Sequence, residues 1–133
     1  MKKSIIYLSL LLCFGLTACH ESIEDRAERE AKEYTEKNCP TPERDNSILD
    51  SITFDRSTHT MNHYYTLTGA ADDTAHFVGS HPEMHEALAD AIKNQTSNKM
   101  YKDAGFNFAY EYRSLRNKHL VLFRDTVKPK DYQ

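Results

Sequence analysis

The sequence predicts an α+β fold in two layers, ordered helix-hairpin-helix-hairpin. Three observations predict it. Two segments, about 47–68 and about 106–127, alternate in polarity with a period of two, as strands with one dry face do. Each follows a stretch, about 21–38 and about 81–97, whose apolar residues recur at helical spacing. Only four Gly and four Pro occur in 133 residues, which excludes collagen-like repeats and low-complexity disorder. The expected product is a four-stranded antiparallel sheet with both helices on one face.

The first helix, Glu21 to Asn38, has no Gly or Pro, and Ile23, Ala27, Ala31 and Tyr34 give it a thin apolar stripe. Glu21, Glu24 and Asp25 suit the positive end of a helix dipole. Cys39 precedes Pro40, and a residue before proline avoids helical geometry. In the first hairpin, Ile48, Ile52 and Phe54 alternate with Leu49, Ser51, Thr53 and Asp55. Met61, His63, Tyr65 and Leu67 then alternate with Asn62, Tyr64, Thr66 and Thr68. Tyr and Thr favour strands. Closeness in sequence makes the pair a hairpin, and Gly69 ends it.

Residues 69–80 read as a loop. Ser80, Pro82 and Glu83 form a capping-box signature. Met84, Ala87, Leu88, Ala91 and Ile92 follow as the clearest amphipathic helix in the chain, which fades through 94–98. Met100 and Tyr101 suggest one further turn before Gly105. In the last hairpin Phe106, Phe108, Tyr110 and Tyr112 point one way and Asn107, Ala109, Glu111 and Arg113 the other. A return strand spans His119 to Val127, and the polar tail Lys128–Gln133 reads as frayed. The expected core joins the helix stripes to Ile52, Phe54, Tyr65, Leu67, Phe108 and Tyr110. The opposite sheet face would carry Tyr64 among polar neighbours.

The amino end reads differently. Lys2 and Lys3 precede an apolar run from Ile5 to Leu16, too short for a membrane span of roughly 20 residues but suited to a secretory leader. Leu16-Thr17-Ala18-Cys19 resembles the lipobox of bacterial lipoproteins. The resemblance covers the first 19 residues and implies several things. Residues 1–18 would be a cleaved signal peptide and 19–133 a single lipid-anchored domain. Cys19 would carry a diacylglyceryl group on its sulfur, and its freed amine would usually be acylated. His20 stands where an Asp would signal inner-membrane retention, which by the same resemblance favours the outer membrane. Each buried CH₂ of an acyl chain contributes about 0.8 kcal/mol, so two chains or more anchor stably. Glu21, Glu24 and Asp25 would then serve either as a solvated helix start or as a surface-export signal.

The cleaved chain would keep 115 residues, 15 of them basic and 20 acidic, a balance of −5. An acidic chain without a basic stripe argues against nucleic acid. Of three cysteines, the resemblance implies that Cys13 would leave with the leader and Cys19 would be lipidated, so Cys39 would have no partner in its own chain. Its place near a helix carboxyl end disfavours a thiolate. The expected state is a packed, inert thiol, ahead of a disulfide between chains and of catalysis.

Five of the seven histidines, His59, His63, His76, His81 and His85, fall within 59–85. His81 and His85 are four apart and could share a helix face for a metal. Their order is His-Pro-Glu-Met-His, which lacks the general-base placement of zinc peptidases. Asp72-Asp73 lacks the alternating ligands of a calcium loop. No Gly-rich phosphate loop, Ser-centred elbow or CxxC pair occurs. Aromatic residues concentrate at Tyr64, Tyr65, Tyr101, Phe106, Phe108, Tyr110 and Tyr112. Most are expected in the core, and Tyr64 and Tyr112 are the candidates for an exposed pair that binds a protein or a glycan.

The expected function is therefore non-enzymatic: a lipid-anchored envelope protein that binds a partner protein or envelope polymer through an aromatic sheet face. It would lack a cofactor and bind no nucleic acid. The alternative is a metal-binding or hydrolytic protein that uses the histidine-rich stretch 59–85.

Overall fold

The computed structural model describes residues 20–133. The expected leader, with Cys13, and the expected lipidation site Cys19 lie outside the described residues. Helix α1 (Ile23–Asn38) starts where the Ser22 hydroxyl accepts the Asp25 amide at 3.0 Å. Such a side chain satisfies one of the four amides that a helix start leaves unpaired. Strands β1 (Ser47–Asp55) and β2 (Thr60–Leu67) form the first hairpin. Helices α2 (His81–Asn94) and α3 (Lys99–Asp103) precede β3 (Asn107–Ser114) and β4 (Val121–Val127), the second hairpin.

The four strands lie in the order β1-β2-β3-β4. Each hairpin is antiparallel as expected, but β2 and β3 pair in parallel, so the sheet is mixed and not wholly antiparallel. The reason is the connection. Residues 68–106 carry the chain from the end of β2 back to its beginning, where the Asn107 amide donates to the His59 carbonyl. Parallel neighbours need a long crossover of this kind. The second hairpin thus enters the sheet in the reverse sense, and the repeated helix-hairpin pattern is no geometric repeat.

Strand registers assign the faces. Three rows cross the helix side: Phe54–Met61–Phe108–Val127, Ile52–His63–Tyr110–Asp125, and Leu49–Tyr65–Tyr112–Phe123. Alternation alone put Leu49 opposite Ile52. A register shift between Leu49 and Ser51 sets Asp50 apart and brings Leu49 to the helix side, which leaves Ile48 on the other face. One extra residue in a strand has this effect.

The core lies beneath the helices. Ala27 and Ala31 of α1 and Ala89 and Ile92 of α2 pack in one cluster with Met61, Phe106, Phe108, Tyr110 and Val127. Both helices therefore cover the same face, with α1 over β1 and α2 over β4. Of the expected core, Leu67, Phe108 and Tyr110 are buried, and Ile52, Phe54 and Tyr65 pack against the cluster half-buried.

Two local expectations are corrected. Ser80 does not cap α2 through its side chain; its hydroxyl donates to the His76 carbonyl instead. The tail is not frayed. It forms a short helix α4 (Pro129–Tyr132), where Asp131 accepts the Lys128 amide and the buried Tyr132 donates its hydroxyl to the Phe106 carbonyl at 2.8 Å. An aromatic ring two residues past the polar lysines supplies burial that the local polarity concealed.

The outer edge of β1 is closed by side chains. The Thr35 hydroxyl accepts the Ile52 amide and donates to the Ile52 carbonyl, both at 2.9 Å. Thr41 engages Leu49 in the same way, through its hydroxyl and its amide. Covering an edge in this manner blocks pairing with other chains. Thr35→Val keeps the shape and removes the hydroxyl, leaving both Ile52 groups unpaired. We expect it to cost about 1–3 kcal/mol, read as a lower urea midpoint, with Thr35→Ser close to wild type.

Candidate functional site

Tyr64 and Tyr112 do not form a pair. Tyr65 is the register partner of Tyr112, and Tyr64 that of Glu111, so Tyr64 and Tyr112 stand on opposite faces of the sheet. Alternation within each strand fixes this once β2 and β3 are adjacent.

On the helix side, Tyr112 stacks on Tyr65 with ring centres 5.1 Å apart and meets Phe123 beyond it. His63 stacks on Tyr110 at 4.7 Å. Phe54, Phe106 and Tyr101 pack beneath α1 at one end of this face. Towards the other end Tyr65 and Tyr112 are half-buried, with Tyr34 exposed on α1. Because α1 lies over β1 and α2 over β4, these rings occupy the helix side of the central strands between the two helices, and this aromatic strip is the furrow. Burial holds the Tyr65 and Tyr110 hydroxyls above the ordinary phenol range and pushes Tyr112 up to about 12; Tyr65 and Tyr112 add to the effect on Tyr110, Tyr65 to that on Tyr112, and Tyr34 and Cys39 to that on Tyr65. The three hydroxyls stay neutral donors at any physiological pH. Desolvation lowers His63 in turn, so its imidazole is held neutral.

The other face is open. Its rows read Thr53–Asn62–Ala109–Thr126 and Ser51–Tyr64–Glu111–Arg124. Glu111 is buried and takes Arg113 Nε on one oxygen and Arg124 Nε on the other, at 2.6 and 2.9 Å. Burial pushes its carboxyl up, but the two guanidinium groups outweigh it and hold the group below the usual carboxylate range. Sequence reasoning missed this cluster. Glu111 and Arg113 are two apart on one strand, a visible signal, but Arg124 joins them only through the hairpin register.

The histidines are dispersed. His81 packs its ring on Phe123 at 4.9 Å, while His85 Nδ1 meets Asp125 at 2.6 Å, so the two face different partners. His59 packs on Phe106 near Glu24. Among the described residues, no group of three or more His, Cys, Asp and Glu is placed to hold a metal ion. Cys39 is a free thiol; burial raises its pKa first, with nearby Asp50 adding to it.

His85 clasps three elements, reaching Asp125 on β4 and, at 3.6 Å, Asp131 on α4. The hydrogen bond to Asp125 raises its pKa above the ordinary imidazole value, against a smaller opposing effect of burial. A raised folded-state pKa contributes stability that is complete below about pH 6.5 and is lost as pH rises through the folded value. We expect the difference in melting temperature between wild type and His85→Ala to be largest at mildly acidic pH and to shrink towards pH 8. A difference constant with pH would refute the charged clasp.

This is a small α+β module with an aromatic furrow on one side of its sheet and a polar, charged face on the other. The chain belongs to a domain family of unknown function, DUF8479, whose model matches residues 22–123. No curated protein matches it significantly. Among solved structures, it is similar to a protein of Pseudomonas aeruginosa assigned as secreted, with 10% identity and a TM-score of 0.69, covering 90% of this chain and all of that one. It is similar to EpsS, the pilotin of the Vibrio vulnificus type 2 secretion system, at 13% identity and a TM-score of 0.59, covering 83% of this chain and 91% of the other. AspS, the type II secretion system pilotin of Vibrio cholerae, follows with 14% identity and a TM-score of 0.55, covering 81% and 90%. At such identities the likeness is one of fold. Among the described residues, no helix is long and apolar enough to cross a membrane.

Proposed function

We propose that the protein is a lipid-anchored envelope protein, held in the outer membrane through Cys19, that docks a partner protein in the aromatic furrow between α1 and α2. The stacked, half-buried Tyr65 and Tyr112, with exposed Tyr34 at the rim, carry this reading. Tyrosines give rigid apolar area with a polar tip at low entropic cost, which suits a protein contact. The lipobox-like Leu16–Cys19 supports the anchor, and the fold shared with two secretion-system pilotins supports a role in an envelope assembly. Anchoring confines the protein to a surface and raises its effective concentration near such partners.

The test places a photo-crosslinking amino acid at Tyr34 in intact cells. One discrete envelope-protein adduct is expected, lost on Tyr112→Ala and retained on His81→Ala. An adduct that survives Tyr112→Ala, or no adduct, sinks the furrow as the docking site. Mass spectrometry of the same protein should find lipid on Cys19. Cys19→Ser should move it from membranes to the soluble fraction; an unmodified chain would overturn the anchor.

A further inference from the structure

We propose that the open sheet face carries a second site, for an acidic saccharide, seated over Ala109 and held by Arg124, Asn62 and Tyr64. It lies opposite the furrow and does not depend on the protein-docking reading. The observation is a depression of about 430 Å³ over β2, β3 and β4. Ala109 makes its floor, because a methyl group stands in the row between the larger Asn62 and Thr126. Thr58 and Thr60 border it, their hydroxyls bonded at 2.8 Å. Tyr64 and Arg124 also line it, with Glu111 between them in the next row.

The chemistry of this lining selects the ligand. Arg124 points Nε and Nη2 at Glu111, which leaves Nη1 for a ligand. The buried carboxylate thereby fixes a guanidinium whose side chain is 63% exposed. Two guanidinium groups share that one carboxylate, so the cluster keeps a net positive charge. A pre-positioned guanidinium favours a carboxylate. Asn62 offers an amide donor and acceptor, and the threonines offer hydroxyls, the complement of a polyol. Tyr64 supplies a flat ring for the apolar face of a sugar. The shallow, polar depression suits a ligand that stays partly hydrated.

N-acetylmuramic acid is the probe, titrated into the domain and followed by amide NMR. N-acetylglucosamine lacks its carboxylate, and acetate lacks the sugar. Saturable shifts centred on Ala109, Arg124 and Thr126 are expected, with at least tenfold weaker binding of either control. Arg124→Gln and Tyr64→Ala should each weaken binding about tenfold, while Tyr112→Ala leaves it unchanged. Ala109→Leu fills the floor with every charge intact and should abolish binding, which keeps the test valid if Arg124→Gln unfolds. No saturable shift, equal binding of acetate, or binding that survives Ala109→Leu would each overturn the proposal.

Discussion

Phe106→Ala is expected to remove about 3–5 kcal/mol of stability, a large part of the 5–15 kcal/mol that holds an ordinary domain together. Phe106 is wholly buried just before β3 and touches rings from three directions. Phe54 stacks on it at 5.0 Å, Tyr101 at 5.2 Å, and His59 leans on it at 5.4 Å. Its carbonyl also receives the Tyr132 hydroxyl. Truncation opens a cavity between β1, α3 and the turn before β2, where three rings lose a partner at once. The carbonyl bond is indifferent to the side chain, so α4 keeps its tie. Urea unfolding should show a lower midpoint at an unchanged slope. Phe106→Leu keeps much of the volume and should lose less. A loss under about 1 kcal/mol would be that of a surface position, and Phe106 would then not be central to the core.

The second large effect comes from adding atoms. Ala27→Leu is expected to cost about 1–3 kcal/mol, or more if α1 cannot shift. Ala27 is completely buried and Ala31 nearly so, one turn apart on the helix. Small side chains let α1 lie close to the sheet, where a leucine has no room. The helix must rise or the side chain must leave its favoured rotamer. A rise would strain the Thr35 hydroxyl's paired bonds to Ile52, two turns on. Lys32→Leu, on the exposed face of α1, is the control and should stay within about 0.5 kcal/mol. If Ala27→Leu matches that control, α1 is not seated as described.

Where burial is local, the residues revealed it. The period-two runs located both hairpins, and the stripe through Met84, Leu88 and Ile92 located α2, although Ala87 and Ala91 of that stripe are exposed and Ala89 is buried instead. Where structure depends on distant pairing, they did not. Two hairpins in succession suggest a continuous antiparallel sheet, and nothing in the residues of β2 or β3 marks them as parallel neighbours. The direction follows from where residues 68–106 return the chain, a tertiary matter. The bulge at Asp50 and the burial of Tyr132 likewise rest on partners far along the chain. The binding residues divide in the same way. Tyr112 shares an alternating set with Phe108 and Tyr110, and that alternation, not its expected pairing with Tyr64, decides its face. Tyr64 could be put on the open face, but its neighbours Glu111 and Arg124 needed the register. The histidines illustrate the converse: closeness in sequence suggested a cluster that the fold disperses among Phe106, Tyr110, Phe123 and Asp125.

The parallel pairing at the centre of the sheet bears on how the molecule forms. Met61 sits beside Phe108, and every contact along that seam spans a similar stretch of chain. Either hairpin can close early, since its ends are near neighbours and closing a short loop loses little entropy. The seam closes a far longer loop, the whole crossover, and meets a correspondingly larger entropy cost. The assembly step is thus the meeting of two preformed halves, and until they meet each exposes a bare inner strand.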